Sequence, residues 1–136
     1  MSASENVQIV RRLFRLRSDG DIEETVGYFA EDAENRPFTT DRVLRGREEI
    51  RSFLEDTAAS GTVLEPSTFR FEANDAGQVA VFGRLRVRGP EGIKDTPAAW
   101  IYTLKDGKVV RAEAFKSTAE AEAAFNGERG NGAGEG

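Results

Sequence analysis

The fold is decided by residues 96–116, which read TPAAWIYTLKDGKVVRAEAFK. Apolar and polar side chains alternate on both sides of Asp106-Gly107, a dipeptide typical of the turn in a tight β-hairpin. The alternation predicts two antiparallel strands, one over Thr96–Lys105 and one over Lys108–Lys116.

The length of the turn determines which side chains of this hairpin share a face. A two-residue turn would place Ile101 opposite Ala112, whereas a three-residue loop with a left-handed Gly107 would place Trp100 there. We predict the three-residue loop, because it sets large side chains over small ones and the alanines then leave room for a pocket. The inward face predicted in this way consists of Trp100, Tyr102, Val110, Ala112 and Ala114.

The segments before the hairpin are predicted to contain two more strands and three helices. The strands are expected at Thr62–Glu72 and Gln78–Arg88. The first helix, Ser2–Arg17, is predicted from a stripe at helical spacing that consists of Val7, Val10, Leu13, Phe14 and Arg17. Two further helices are expected after the cap Asp21 and from near Gly46, with a short extended segment between them at Ala33–Phe38. A last helix follows the cap Ser117 and is expected to stop at Asn126-Gly127.

This order of elements is typical of an α+β fold, with three helices around one short strand followed by an antiparallel meander. We expect a curved antiparallel sheet, wrapped around the helices, to form a cone with an interior pocket. Residues 1–126 are predicted to form this single domain. Residues 127–136 contain five glycines and no large apolar side chain, which predicts a disordered tail.

The chain of 136 residues contains no histidine and no cysteine. These absences exclude imidazole bases, Ser-His-Asp and Cys-His relays, thiolate nucleophiles and disulfides. Neither a metal site nor a cofactor site is predicted, because the acidic residues lack ligand spacing and no glycine-rich phosphate loop is present. The formal net charge of −5 argues against nucleic-acid binding. No apolar run is long enough for a membrane span and no signal peptide opens the chain, so a cytoplasmic protein is expected.

Three stretches of the sequence carry a resemblance to a known superfamily. They are Asp19–Asp21 followed by Tyr28–Ala33, then Arg45–Arg51, and finally the hairpin 100–110. In this order they resemble the nuclear transport factor 2-like superfamily, especially its SnoaL-like and ketosteroid-isomerase-like branches. The resemblance implies a cone-shaped fold that binds a hydrophobic small molecule, and a homodimer formed through the outer face of the sheet.

The steroid isomerases of this fold use an aspartate base supported by a tyrosine and a protonated aspartic acid. In this sequence the tyrosine position falls at Leu13, and the base position falls at Asn35 or Arg36. The second acid falls at Ala99 or Trp100. None of these side chains can take the isomerase roles, so the resemblance does not extend to that mechanism.

Limonene epoxide hydrolase, of the same fold, uses an Asp-Arg-Asp relay with a tyrosine and an asparagine that hold the water. Asn35 resembles the water-binding asparagine, and Arg84 is similar to the relay arginine. The remaining positions, two acids and a tyrosine, fall at Arg86, Ala114 and Ala33. Polyketide cyclases of the SnoaL branch carry a histidine whose position falls at Trp100. Each known catalytic set is therefore incomplete, because a water without its base is not activated.

Three polar residues remain as candidates for catalysis: Tyr102, Asn35 and Arg84. A buried tyrosine carries a reactive phenol, but it also commonly has a structural hydrogen-bond partner. Asn35 is either a polar group of the pocket or a turn former before Pro37. Arg84 either points into the cone, where it would bind a carboxylate, or lies with Arg86 on a solvated face or subunit contact.

The sequence therefore favours a small-molecule-binding protein with an apolar pocket and no intact catalytic set. The predicted pocket residues are Leu13, Phe53, Phe82, Trp100, Tyr102, Ala112 and Ala114. One alternative is a cofactor-independent isomerase, cyclase or epoxide-hydrolase-like enzyme acting on a hydrophobic polycyclic or terpenoid substrate. Another is a dimerising accessory domain whose outer sheet face consists of Val81, Leu85, Ile101 and Phe115.

Overall fold

A computed structural model describes residues 2–130 of the chain. The helices are α1 (Ala3–Asp19), α2 (Ile22–Gly27), α3 (Gly46–Ala59) and α4 (Thr118–Gly130). The strands are β1 (Phe29–Arg36), β2 (Leu44–Arg45), β3 (Val63–Ala73), β4 (Gln78–Gly89), β5 (Gly92–Lys105) and β6 (Lys108–Phe115). Each predicted helix and strand is present, and the α+β class is confirmed.

The first two helices begin where the sequence predicts because their caps form. Ser2 and Glu5 make a capping box, in which the Ser2 hydroxyl accepts from the Glu5 amide at 3.0 Å. In return, the Glu5 carboxylate accepts from the Ser2 amide at 2.8 Å. The carboxylate of Asp21 caps α2 by accepting from the Glu24 amide at 3.1 Å. These caps satisfy amide groups that have no partner inside the helix.

The six strands form one open, curved sheet in the order β2-β1-β6-β5-β4-β3. Strands β3 to β6 form the predicted antiparallel meander. Strand β1 lies parallel to β6. The sequence pattern did not predict this pairing, because the two strands are far apart in the chain and periodicity reports only local structure.

The hairpin turn between β5 and β6 is shorter than predicted. Asp106 and Gly107 both have positive φ angles, 52° and 81°, as a two-residue turn requires. Lys105 accordingly pairs with Lys108. The prediction of a three-residue loop is therefore wrong, because Asp106 itself takes the left-handed conformation that was assigned to Gly107 alone.

A β-bulge restores the predicted face of the hairpin. Leu104 pairs with Val109, but the next pair along is Thr103 with Arg111, so Val110 is an extra residue in β6. Beyond the bulge, Tyr102 lies opposite Ala112, and Trp100 lies opposite Ala114 rather than Ala112. These four residues share the inward face as predicted, while Val109 replaces Val110 in the core.

Cross-strand pairing divides β4 and β5 into two faces. Val81 pairs with Trp100, and Phe82 pairs with Ala99, and directly paired residues point to the same side of a sheet. Val81 therefore points inward with Trp100, while Phe82 points outward. The prediction that Phe82 lines the interior is wrong, because neighbouring residues of β4 are both apolar and their alternation does not distinguish the faces.

Helix α4 covers part of the outer face of the sheet. Its apolar side packs on that face through a cluster of buried residues, namely Ala80, Phe82, Ala99, Ile101, Ala121 and Phe125. Val81 and Leu85 belong instead to the inner core and are fully buried. The four residues predicted as a dimer surface therefore do not form one exposed face.

The last helix is longer than predicted. Helix α4 continues to Gly130, past the expected stop at Asn126-Gly127. The remaining residues of the predicted tail, 131–136, lie outside the described residues. None of the helices within residues 2–130 is long and apolar enough to cross a membrane.

Arg84 lies on the same outer face as Phe82. Its Nε donates a hydrogen bond to the carboxylate of Asp95 on β5 at 2.8 Å, and its side chain is 44% exposed. The hypothesis that Arg84 reaches into the cone is therefore wrong. The alternative holds: Arg84 is one member of a solvated, ion-paired face.

Strands β3 and β4 approach each other closely beside a β-bulge. Strand β3 has a bulge between Thr68 and Arg70, and Gly83 pairs with Thr68 at its edge. A Cβ atom on Gly83 would lie only 1.9 Å from the backbone oxygen of Ser67. Gly83 is thus required for packing of two backbones and not for an unusual φ angle.

We predict that Gly83→Ala lowers the free energy of unfolding by about 2–3 kcal/mol, because one of the two strands must move to make room. Urea unfolding measures this change. Gly27→Ala is the matched control, since a Cβ there meets nothing within 4 Å, and its effect should stay within about 1 kcal/mol. Equal effects of the two substitutions would contradict the assigned role of Gly83.

Candidate functional site

A small cavity lies between the inner face of the sheet and helices α1 to α3. Its volume is about 40 Å³. Of the residues predicted to line a pocket, those that border it are Leu13, Phe53, Trp100, Tyr102, Ala112 and Ala114. The structure thus brings these residues together and leaves out Phe82 and Arg84; that they bind a ligand stays a prediction.

The cavity is too small to hold a whole ligand. Sites for small molecules commonly measure about 300–1,000 Å³, whereas one water needs about 10–15 Å³. A volume of 40 Å³ therefore has room for a few waters or for one small chemical group. A polycyclic or terpenoid molecule does not fit inside it.

A larger cleft opens directly beside the cavity. It has a volume of about 550 Å³ and lies between the end of α1, α2, the end of α3 and the start of β3. The cavity and the cleft share the lining residues Arg17, Thr25, Leu54 and Leu64. The cavity and the cleft are therefore neighbours that meet at these four side chains, and we call the pair the funnel, with the cavity as its floor and the cleft as its mouth.

Aromatic packing fixes the floor of the funnel. The ring of Phe14 on α1 meets Trp100 edge to face at 5.0 Å between centroids and Tyr102 at 5.8 Å. Trp100 and Tyr102 are each only 4% exposed. Such pairs favour one relative orientation of the rings, so the two cavity residues are held in place by a residue behind them.

Tyr102 and Arg17 are two of the polar residues that border the cavity. Burial raises the pKa of the Tyr102 hydroxyl, and the nearby Arg17 guanidinium opposes that shift. Tyr102 is therefore protonated at neutral pH and able to donate a hydrogen bond. Arg17 stands in the last turn of α1, and no carboxylate within residues 2–130 forms an ion pair with it.

Asn35 belongs to the cavity and not to a turn. It lies within β1 and pairs with Ala112 of β6, so its side chain points inward with that alanine. It borders the same cavity as Tyr102 and Arg17. The turn interpretation of Asn35 is wrong, because β1 continues to Arg36 before Pro37 ends it.

Comparison with known proteins identifies the family. Residues 10–112 match the SnoaL-like domain. The chain belongs to the SnoaL-like family. A curated relative of this SnoaL-like chain, an uncharacterized protein of Mycobacterium tuberculosis, is 28% identical over 131 residues, which cover 92% of this chain and 98% of the relative.

Solved structures share the fold of the SnoaL-like chain. A candidate polyketide cyclase from Xanthomonas campestris pv. campestris superposes with a TM-score of 0.75 at 17% identity, covering 87% of this chain and 94% of that one. A second structure is that of the epoxide hydrolase/cyclase-like enzyme SalBIII, which has a role in pyran ring formation in the polyether salinomycin. It superposes with a TM-score of 0.71 at 23% identity, covering 85% of this chain and 93% of that one. These likenesses show that the chain shares the fold of these proteins.

The described residues that border the cavity of this SnoaL-like chain include one acid, and its carboxylate does not face inward. Glu113 is the only acid among the described residues that border the cavity. Its carboxylate accepts from Arg111 at 3.2 Å, and its pairing with Ile101 places it on the outer face. Within residues 2–130, no cluster of acidic side chains could hold a metal ion either. The cavity therefore offers hydrogen-bond donors but no general base.

Sequence reasoning missed Arg17 as a member of the site. The sequence did carry a signal for Arg17, since it continues the apolar stripe of α1 one turn after Leu13. In the structure its guanidinium lies over the ring of Phe14. A charged residue on an inward stripe is unusual unless it lies at a helix end, where its long side chain can reach an opening. The cleft itself is formed by segments distant in the chain and has no sequence signature.

We predict that Tyr102 ionises only above its usual pKa of about 10, because burial disfavours the phenolate. A pH titration of tyrosinate absorbance in Tyr28→Phe, which retains Tyr102 alone, measures its midpoint. Adding Arg17→Gln should move the midpoint further up. Because the pKa of Tyr102 is higher in the folded protein than in the unfolded one, the stability that its neutral phenol contributes is fully present below the unfolded pKa. That stability is lost as pH rises through the folded pKa. An unchanged midpoint on adding Arg17→Gln would contradict the assigned proximity.

Proposed function

We propose that this SnoaL-like chain binds a small, largely apolar molecule, with the body of the ligand in the cleft and one end in the cavity. The observation that carries this proposal is the shared lining of the two spaces, through Arg17, Thr25, Leu54 and Leu64. A ligand can thus contact the rigid floor of Trp100 and still have room for a longer body.

The composition of the cleft supports an apolar ligand body. Its wall includes a group of apolar side chains, namely Leu16, Ile22, Leu54, Ala58, Val63, Leu64 and Pro66. Val63 is 43% exposed and is one of two large apolar side chains that stand out on the described surface. Covering such exposed apolar area is favourable at roughly 25 cal/mol per Å². The cleft therefore offers binding energy that a polar surface does not.

Trp100 makes the proposal measurable, because it is the only tryptophan of the chain and lines the cavity. We expect 1-octanol to change the Trp100 emission and to raise the melting temperature of the protein. Ala114→Leu fills the floor and should weaken the binding of 1-octanol about tenfold, which corresponds to about 1.4 kcal/mol of binding free energy.

The control for this measurement is Ala124→Leu, which adds the same atoms to an exposed position of α4. It should leave the emission response unchanged. A response equal in Ala114→Leu and in the unmodified protein would place the bound probe somewhere other than the funnel. No response from any apolar probe would contradict the proposed function.

A second candidate function, catalysis without a cofactor, is favoured by the buried, protonated Tyr102 beside Asn35. A phenol held in a buried cavity can donate a proton to an epoxide or carbonyl oxygen. The fold is shared with SalBIII, which is epoxide hydrolase/cyclase-like. This chain would then be an isomerase, cyclase or epoxide-hydrolase-like enzyme whose hydrophobic substrate inserts only a narrow end into the floor.

We predict that, if the chain turns over a terpene epoxide, Tyr102→Phe lowers the rate by about 100-fold while the melting temperature changes little. Product formation under matched conditions measures the first effect, and thermal unfolding the second. Tyr28→Phe removes the other tyrosine and is the control. Equal turnover in Tyr102→Phe and the unmodified protein would remove Tyr102 from any catalytic role.

A further inference from the structure

Hydrogen-bond donors predominate among the described polar groups that border the cavity, and the one carboxylate there, Glu113, lies on the outer face of the sheet. Arg17, Tyr102 and Asn35 all border the cavity. Arginine offers only donors, a protonated tyrosine offers one donor, and the asparagine amide offers two. The asparagine and the phenol can also accept, but Arg17 can only donate, so a ligand group that accepts several hydrogen bonds matches Arg17, and an anionic oxygen pair accepts the most.

The charge of Arg17 is not neutralised by the acids around the cleft. Asp19 is two positions further along α1, and residues at that spacing on a helix do not face each other. Asp21 is used as the cap of α2. Glu65 pairs with Arg88 at 2.8 Å. A positive charge is therefore left at the junction of the cavity and the cleft.

The size of the cavity selects among anionic groups. A volume of about 40 Å³ suits a planar group of three heavy atoms, and it does not suit an added ring or a branched body. A carboxylate matches both the size and the guanidinium geometry, since arginine binds carboxylates through two parallel hydrogen bonds. An ammonium group would instead meet Arg17 as a like charge.

We infer that the ligand is an amphipathic carboxylic acid whose carboxylate enters the cavity and binds Arg17 and Tyr102, while its apolar chain or ring lies in the cleft. This inference rests on the proposed function and names the ligand class for the same site. Asn35 supplies a further donor from β1, on the same inner face of the sheet as Tyr102. Arg17 acts as the anchor that orients the ligand, because it borders both spaces.

The test compares two probes that differ only in their head group, octanoate and 1-octanol, by titration of the Trp100 emission. We expect octanoate to bind the unmodified protein about tenfold more tightly than 1-octanol, since hydrogen bonds to charged groups are the stronger ones. Arg17→Gln should remove this preference and leave 1-octanol binding unchanged. Arg15→Gln removes the same charge from an exposed position of the same helix and should retain the preference.

The outcomes separate the two proposals. Equal binding of both probes to the unmodified protein would overturn the carboxylate inference and leave the proposed function in place. Binding of neither probe would overturn the proposed function itself. A loss of affinity for both probes in Arg17→Gln would mean that Arg17 acts through structure and would overturn its role as anchor. Should Arg17→Gln fail to fold, Tyr102→Phe provides the second variant. In that variant the binding of octanoate should weaken and the binding of 1-octanol should not.

Discussion

The contact of Phe14 with Trp100 and Tyr102 is the interaction on which the interior depends. Phe14 meets both rings edge to face and also meets Phe71 on β3 at 6.3 Å. One side chain of α1 thus joins two strands that lie two places apart in the sheet. Because α1 is fixed there, its last turn ends at the mouth of the funnel, where Arg17 borders both the cavity and the cleft.

Two irregularities in the sheet make room for this packing. The bulge in β6 turns Ala112 and Ala114 toward Tyr102 and Trp100, and small residues opposite large ones leave the space that becomes the cavity. The bulge in β3 lies beside Gly83, whose missing side chain permits the backbones to approach. A regular sheet of the same sequence would point half of these side chains to the other face.

The sequence predicted the helices and strands better than it predicted the face of the sheet on which each side chain lies, because sequence patterns report local structure. Caps and alternation depend on neighbours in the chain, so the capping box at Ser2 and the hairpin strands were predictable. Phe82 was placed inside because β4 is apolar on both faces near it: Val81 packs in the core and Phe82 under α4. Asn35 could not be placed until its pairing with β6 was known, since that pairing joins distant segments.

The same structure explains why the SnoaL-like site of this chain differs chemically from a proton-abstracting one. Leu13, Trp100 and Ala114, to which the sequence resemblance assigns the positions of reactive groups, all border the cavity and carry no acid or base. What replaces the missing acid is a guanidinium beside a phenol that burial keeps protonated. A base must be an acceptor of protons, and neither group is one at neutral pH. A pair of donors stabilises negative charge that arrives with the ligand, which is why we propose that the floor binds an anion and does not create one.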